Sequence, residues 1–474
     1  RACMSAHHFP AVARVVGHRD HRAALAVLAV AACHFGSAGQ VLTFEDLGDN
    51  YADHEILQDG PQGTGLIVFQ TNTDAWIGRL DPGSGLFAMA GGREWKVAEG
   101  ISTLQVSRNG PEFGIDRDGW AVFYNVNVGP RVLIERATPT GGFGSPFVVE
   151  TLTDATLDRI NQLPSQSSTA DSTFVVYGLG VPDTFDRSIA YLEDMPPSED
   201  RVITTLSPGT AGFRWARETS LLTSTIGDPA GFGQVVLVDA ARDERAVITD
   251  DPGVKFDPYV WLAPEADGAP MMIAAVDEVD LAVYRQDEPY WTQIALLSPP
   301  IESGMSFIQS AEPFVVAGRS FVVLTLKNES GPIFGGDVTE SQIWLYGIED
   351  DPATRFAMRV DDPESPDLVR HEGEAFLADE ELFIYYNDVR PSGIGLRMTR
   401  TGIRLDLPEA CWHADVAPPF GVLTTDDVVR VIEQVDAGSD AGDADRSGTT
   451  DFFDVLDQLV RIDACASESL AGGE

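Results

Sequence analysis

Apolar residues along most of this chain fall in short unbroken runs and not at helical spacing. LIVF at 66–69, AVFY at 121–124, FVVY at 174–177, MMIAAV at 271–276, FVVLTL at 321–326 and LFIYY at 382–386 are bounded by Gly, Pro, Asp and Asn. Runs of this length and composition predict buried β-strands. Asn109–Asn125 (NGPEFGIDRDGWAVFYN) shows the plan of one unit: an acid after Pro, a short apolar strand, an Asp-Gly turn, then a strand ending in aromatics. The plan returns from Phe256, Ala311 and Gly373. Recurrence at roughly 45 to 60 residues marks a repeat architecture. Seven units of about four strands each are expected, opening near His54, Pro111, Pro164, Phe213, Asp257, Glu312 and Glu374. A single four-stranded sheet cannot bury both of its apolar faces. A ring of such sheets around an axis buries them all and leaves only short edges. The expected fold is therefore mostly β, a β-propeller of seven blades, or of six, because the third and fourth units lack the acidic opening. VLTFEDL at 41–47 can supply a strand that closes the ring with the last blade. A series of β-sandwiches is the competing arrangement. Tyr124, Tyr177, Tyr385 and Tyr386 end second strands and read as blade core.

Composition narrows the partners. Hydrophobic residues make up 43% of the 474, a globular proportion. The formal net charge is −42, and Lys96, Lys255 and Lys327 are the only lysines. Nucleic acid and anionic membrane surfaces both need a basic patch, so neither is an expected partner. The acidity reads first as a solvated surface, and as cation binding only where spacing supports it.

Residues 1–39 read as a secretory signal. Arg14, Arg19 and Arg22 precede the apolar run Ala23–Ala32, and Gly36, Ser37, Ala38 and Gly39 offer a cleavage site. The run is shorter than the ~20 residues a bilayer core needs. No later run is long enough for a transmembrane helix. The expected location is secreted or at the cell surface. Val30-Ala31-Ala32-Cys33 keeps open a lipoprotein in which Cys33 carries the lipid.

Helical periodicity begins only after about Leu423. There, Asp443, Asp445, Ser447, Thr449, Asp451 and Asp454 hold positions 1, 3, 5, 7, 9 and 12 of a loop with Gly448 at position 6. That is the spacing of a calcium loop, and calcium wants six to eight oxygens. A degenerate copy runs from Asp415 to Asp427. Its Gly421 and Asp427 precede Gly448 and Asp454 by 27 residues each. Cys411 and Cys465 bracket both copies, and in an exported protein two cysteines so placed read most simply as a disulfide. Two free thiols are the other reading. The tandem loop–helix units, with Asp at position 12, resemble a dockerin module. The resemblance implies calcium as the bound ion and a cohesin-like protein or cell-surface scaffold as partner. The expected division is a signal peptide at 1–39, a propeller at 40–408, a dockerin-like calcium-binding module at 409–466 and a flexible tail at 467–474.

The repeated acid–Asp-Gly–aromatic plan, with strands such as SQIWLYG, resembles TolB-type WD40-like repeats and the arabinanase and β-xylosidase propellers. In those glycosidases, carboxylates at blade openings carry the chemistry. Here Glu112, Asp257, Glu312 and Glu374 open four units and are the candidate catalytic acids, expected to converge at one end of the axis. One Asp and three Glu depart from the glycosidase set of two Asp and one Glu. Glycoside hydrolysis needs two carboxyl groups roughly 5 to 10 Å apart. Acids paired with Arg or backbone N–H groups point instead to binding or structure. Arg370 and His371 are candidate sugar contacts. The function expected is a secreted or surface-attached propeller that binds a ligand, a carbohydrate by preference, with a calcium-binding tail for attachment. The alternative is a secreted glycoside hydrolase acting through the axial carboxylates.

Overall fold

The computed structural model describes residues 42–404 apart from connecting stretches between strands, the longest being 100–109, 152–164, 196–203 and 349–356. The N-terminal segment and the whole tail, with its calcium-loop residues, Cys411 and Cys465, lie outside the described residues. One compact unit comprises Leu42–Asp350 and Ala357–Thr401.

The strands form seven four-stranded antiparallel sheets. Six are built from four consecutive strands each. The seventh takes three strands from its own segment and a fourth, Thr43–Asp49, from the beginning of the described chain. That strand pairs with Gly393–Arg404 from Thr43↔Arg400 to Asp49↔Gly395. The first strands of blades 1 to 7 are Ala52–Leu57, Glu112–Asp116, Ser165–Ser168, Ala211–Trp215, Lys255–Ala263, Phe307–Val316 and Val369–Ala378. Each lies against the next, and the last against the first, so the inner strands form a closed ring. A ring of four-stranded sheets closed by a strand from the chain's other end is a β-propeller.

The apolar runs are unbroken because successive residues serve opposite neighbours. In blade 1, Leu66 and Val68 pack with Phe113, Val122 and Tyr124 of blade 2. Ile67 and Phe69 turn the other way, onto Phe376, Phe383 and Tyr385 of blade 7. Blade 5 does the same: Met271 and Ile273 meet blade 6, and Met272 and Ala274 meet blade 4. Alternation within a strand thus becomes two cores, one on each face. Burial falls outward. The second strand Leu66–Thr71 is buried throughout, while the outermost strand of blade 4, Glu244–Val247, is exposed throughout. Tyr124, Tyr385 and Tyr386 are core residues, none more than 3% exposed. Lys255 and Lys327 are each 1% exposed. Their ammonium groups bond the Gly253 carbonyl at 3.0 Å and the Glu278 carboxylate at 3.0 Å, so these rare lysines anchor loops and do not decorate the surface.

Candidate functional site at the propeller axis

One irregularity recurs in the inner strands. In blades 1, 4, 5, 6 and 7 the register with the second strand slips between Ala52/Glu55, Ala211/Arg214, Phe256/Tyr259, Gln309/Glu312 and His371/Glu374. In each case three steps on the inner strand match two on its partner, which is a one-residue β-bulge. The bulges hold Asp53, Asp257, Ser310 and Glu372 at φ between 44° and 53°. A non-glycine residue in this left-handed region costs roughly 1 to 2 kcal/mol. Four such residues at equivalent positions put backbone strain on the inner ring, and such strain clusters at functional sites.

The bulge sorts the acids into two tiers. Two residues beyond the bulge position stand Glu55, Arg214, Tyr259, Glu312 and Glu374, and in blade 2 Glu112 follows Gly110 at the same spacing. Pairing of Ser165 with Val176 places Ser165 at the corresponding backbone position of blade 3. Glu112, Glu312 and Glu374 therefore share a phase, as the repeat implied. Asp257 does not: its equivalents are Asp53, Ser310 and Glu372, and the phase-mate of the three Glu in blade 5 is Tyr259. The shift by two arises because the FDP opening of blade 5 places its acid inside the bulge.

The two tiers nevertheless meet. The Arg214 guanidinium lies among Glu312, Asp257, Glu112 and Tyr259. Burial opposes its charge, but these four groups outweigh burial and raise its pKa above the ordinary arginine value. Three of the four candidate acids are thus gathered around one cation. Glu374 stands at the equivalent register position, paired with Tyr385.

A second group adjoins the first through Glu112. Asp53 is hydrogen-bonded to Glu372, and burial, Glu372 and Glu112 together push its carboxyl well above the usual range. Burial also works to raise Glu372, but His371, His54 and the bond to Asp53 override it and bring Glu372 down to about 2. The Nδ1 of His371 lies 3.2 Å from Glu372 Oε1. Among the described residues, Glu372 Oε2 has no N–H or hydroxyl partner. The Glu372 side chain is 33% exposed, so the pair is set in protein yet opens to solvent.

His54 backs this pair. Asn387 donates its Nδ2 hydrogens to the Tyr51 and Gly395 carbonyls at 3.3 and 3.2 Å, so its Oδ1 must accept. The contact of His54 Nδ1 with that oxygen at 3.2 Å fixes the hydrogen on Nδ1. Burial lowers the His54 pKa to about 4, so the ring is neutral at pH 7. Its Nε2 carries a lone pair with no partner, in a residue only 4% exposed. Gly110 completes the arrangement: a Cβ there would fall 2.0 Å from the Asp53 Cβ, so only glycine lets blade 2 approach the bulge.

Arg370 is not part of the site. It is 1% exposed and bonds Asp361 at 3.2 Å and the Asp362 carbonyl at 3.0 Å, where it ties blade 7 to blade 6. Sequence reading missed Asp53, His54, Glu55 and Arg214. The available signal was the spacing of two from Asp53 to Glu55, Gly110 to Glu112, Ser310 to Glu312 and Glu372 to Glu374. Among the described residues, no group of three or more His, Cys, Asp and Glu is arranged to hold a metal ion.

The sequence matches no protein-family model and no curated protein. Solved structures similar to it are propellers. The sialidase of Trypanosoma rangeli is 10% identical, with a TM-score of 0.44, over 84% of this chain and 63% of that one. This chain therefore spans less than two thirds of the sialidase. The Dos1 propeller is 9% identical, with a TM-score of 0.43, over 71% of this chain and 76% of that one. The WD40 domain of SCAP from fission yeast is 6% identical, with a TM-score of 0.43, over 76% and 98%.

Proposed function

We propose that this protein is a secreted or surface-attached binding protein whose propeller takes a carbohydrate at the axis and whose tail attaches it, with calcium, to a cohesin-like or scaffold partner. The observation that supports the axial reading is the gathering of Glu112, Asp257, Glu312 and Tyr259 around Arg214, beside the solvent-open Glu372. Carboxylates held by a guanidinium are fixed acceptors for paired sugar hydroxyls.

The alternative, a glycoside hydrolase, draws on Asp53 and Glu372, whose carboxyl pKa values are pushed in opposite directions. That separation of roles is the mark of an acid/base pair. Their spacing argues against it. Hydrogen-bonded oxygens lie about 2.5 to 3 Å apart, whereas retaining and inverting glycosidases need about 5 to 9.5 Å between their carboxyl groups.

A glycan array together with a polysaccharide hydrolysis screen, run on the full chain, tests the reading. Binding without turnover is expected. Turnover abolished by Asp53→Asn would establish the alternative instead. The attachment reading is tested by calcium titration calorimetry of the full chain: at least one site is expected, lost in Asp443→Ala combined with Asp454→Ala. No heat at millimolar calcium would refute it.

A further inference from the structure

Phe256 and Leu262 are the large apolar side chains left exposed on the described inner strands, and Leu262 lies toward the end away from the bulge. Phe256 stands directly before the bulge residue Asp257 and is 37% exposed. The same position holds Ala52 in blade 1 and His371 in blade 7, which are 2% and 3% exposed. In blade 6 it holds Gln309, which is bonded to Lys327 at 3.1 Å. Blade 5 is thus the one that sets an open aromatic ring in this tier, among the described residues.

The register shows which way the ring leans. Along the second strand of blade 5, Met272 and Ala274 face blade 4 and Ile273 faces blade 6, so Ala275 faces blade 6 too. Cross-strand partners share a face. Phe256 pairs with Ala275 and Tyr259 with Ile273. Phe256 and Tyr259 therefore stand on one face of the sheet, with the bulge carrying Asp257 between them. Both flanks of the bulge are pinned. Lys255 bonds the Gly253 carbonyl at 3.0 Å, and Thr223 of blade 4 donates its hydroxyl to the Pro258 carbonyl at 2.6 Å. An exposed ring is thereby held beside two polar groups, Asp257 and Tyr259, that face Arg214.

A pyranose with equatorial hydroxyls matches this arrangement. Its hydroxyls project around the rim of the ring, and its axial hydrogens make both faces apolar. Those hydrogens are slightly positive, whereas the face of a phenyl ring is negative. A sugar lying on Phe256 would turn its rim hydroxyls toward the Asp257 carboxylate, an acceptor fixed in place. Apolar lining with a few placed polar groups is the usual composition of a small-molecule site. Resting on the carbohydrate reading above, we infer that Phe256 is the platform on which the axis stacks its ligand, and that the ligand is a pyranose with equatorial hydroxyls, oriented by Asp257.

The test is calorimetric titration of the full chain with cellohexaose and with an inulin-type hexamer of fructofuranose. Both probes are neutral and rich in hydroxyls, but only the first has flat C–H faces. Cellohexaose is expected to bind at least tenfold tighter. Phe256→Ala and Phe256→Leu should each weaken it at least tenfold with the melting temperature unchanged, because the ring is exposed. Phe256→Trp should bind as tightly as the parent or tighter. Undiminished binding by Phe256→Leu overturns the stacking inference, since leucine keeps the apolar contact without the ring. Equal or tighter binding of the fructofuranose hexamer overturns it too, as does another glycan bound on the array while cellohexaose is not. A loss in Phe256→Ala that comes with a fallen melting temperature and is not restored in Phe256→Trp assigns the residue to the fold instead. Each of these outcomes leaves the carbohydrate reading standing. Absence of binding to any glycan defeats both.

Discussion

The closing seam and the axis are both built from carboxylates and arginines, and they use them in opposite ways. At the seam, Arg397 bonds Asp46 at 2.5 Å, Asp388 at 2.9 Å and Asp49 at 3.3 Å, and Arg390 bonds Asp388 at 2.7 Å. Two arginines thus serve three aspartates, and each carboxylate touches a guanidinium. Asp46 and Asp49 belong to the closing strand and Asp388 to blade 7, so these bonds join the two ends of the ring. At the axis, Arg214 serves three carboxylates, and the Asp53 and Glu372 carboxyls are bonded to each other. The bulged backbone carries the strain there. Charge at the seam is paired bond by bond within the fold, whereas at the axis one guanidinium faces several carboxylates at once.

Mutation should separate the two regions. The largest effect is expected at the seam. Arg397→Met leaves three carboxylates around a 6% exposed side chain without their main cation. It should cost about 3 to 5 kcal/mol in denaturant unfolding, by the rule for breaking one half of a buried pair. A loss under 1 kcal/mol would mean that the seam does not hold the ring.

Next in size is a pH effect at the axis. His54 takes its proton at pH 6.5 when unfolded but only at about 4 when folded. Between those values the unfolded state binds the extra proton, so stability falls as pH falls through the window. One pKa unit is about 1.4 kcal/mol, which sets a ceiling of roughly 3 kcal/mol across it. Glu372, lowered from 4.5 to about 2, acts in the same direction at lower pH. Asp53, raised, acts in the opposite sense, its contribution being lost as pH rises. In His54→Asn the unfolding midpoint should no longer fall between pH 6.5 and 4. An unchanged slope would place the titration elsewhere.

Gly110→Ala drives a methyl group into Asp53 and should cost about 1 to 3 kcal/mol, the usual range for overpacking. Ligand binding should weaken along with the melting temperature, because the bulge carrying Asp53 must move. The smallest effect on stability is expected for Glu312→Gln, within about 0.5 kcal/mol of the parent or slightly stabilising, since two carboxylates remain for Arg214. The matching Asp388→Asn at the seam should destabilise clearly. Equal losses in the two would erase the distinction between the regions.

The ring was legible in the sequence because its signal is repeated. Unbroken runs such as LIVF and FIYY follow from two-sided burial, and TFEDL could be matched to the last blade because that blade lacked a fourth strand. The bulge was not legible. One extra residue shifts the phase of everything before it, so Asp257 looked equivalent to Glu312 while standing two positions away. Arg214 was hidden for another reason. It occupies an acid's place in a unit without the acidic opening, and only the closed ring shows that it faces the acids of other blades. His54 and His371 are far apart in sequence and meet only because blade 1 adjoins blade 7.

The most direct measurement takes the full chain and its Asp257→Asn, Glu312→Gln double variant through one glycan array, with the melting temperature of each recorded. If the axis retains unresolved charge for a ligand, the variant loses binding at least tenfold while its melting temperature stays equal or rises. Undiminished binding, or a melting temperature that falls as far as that of Asp388→Asn, would mean that the axial carboxylates hold the fold together as the seam does.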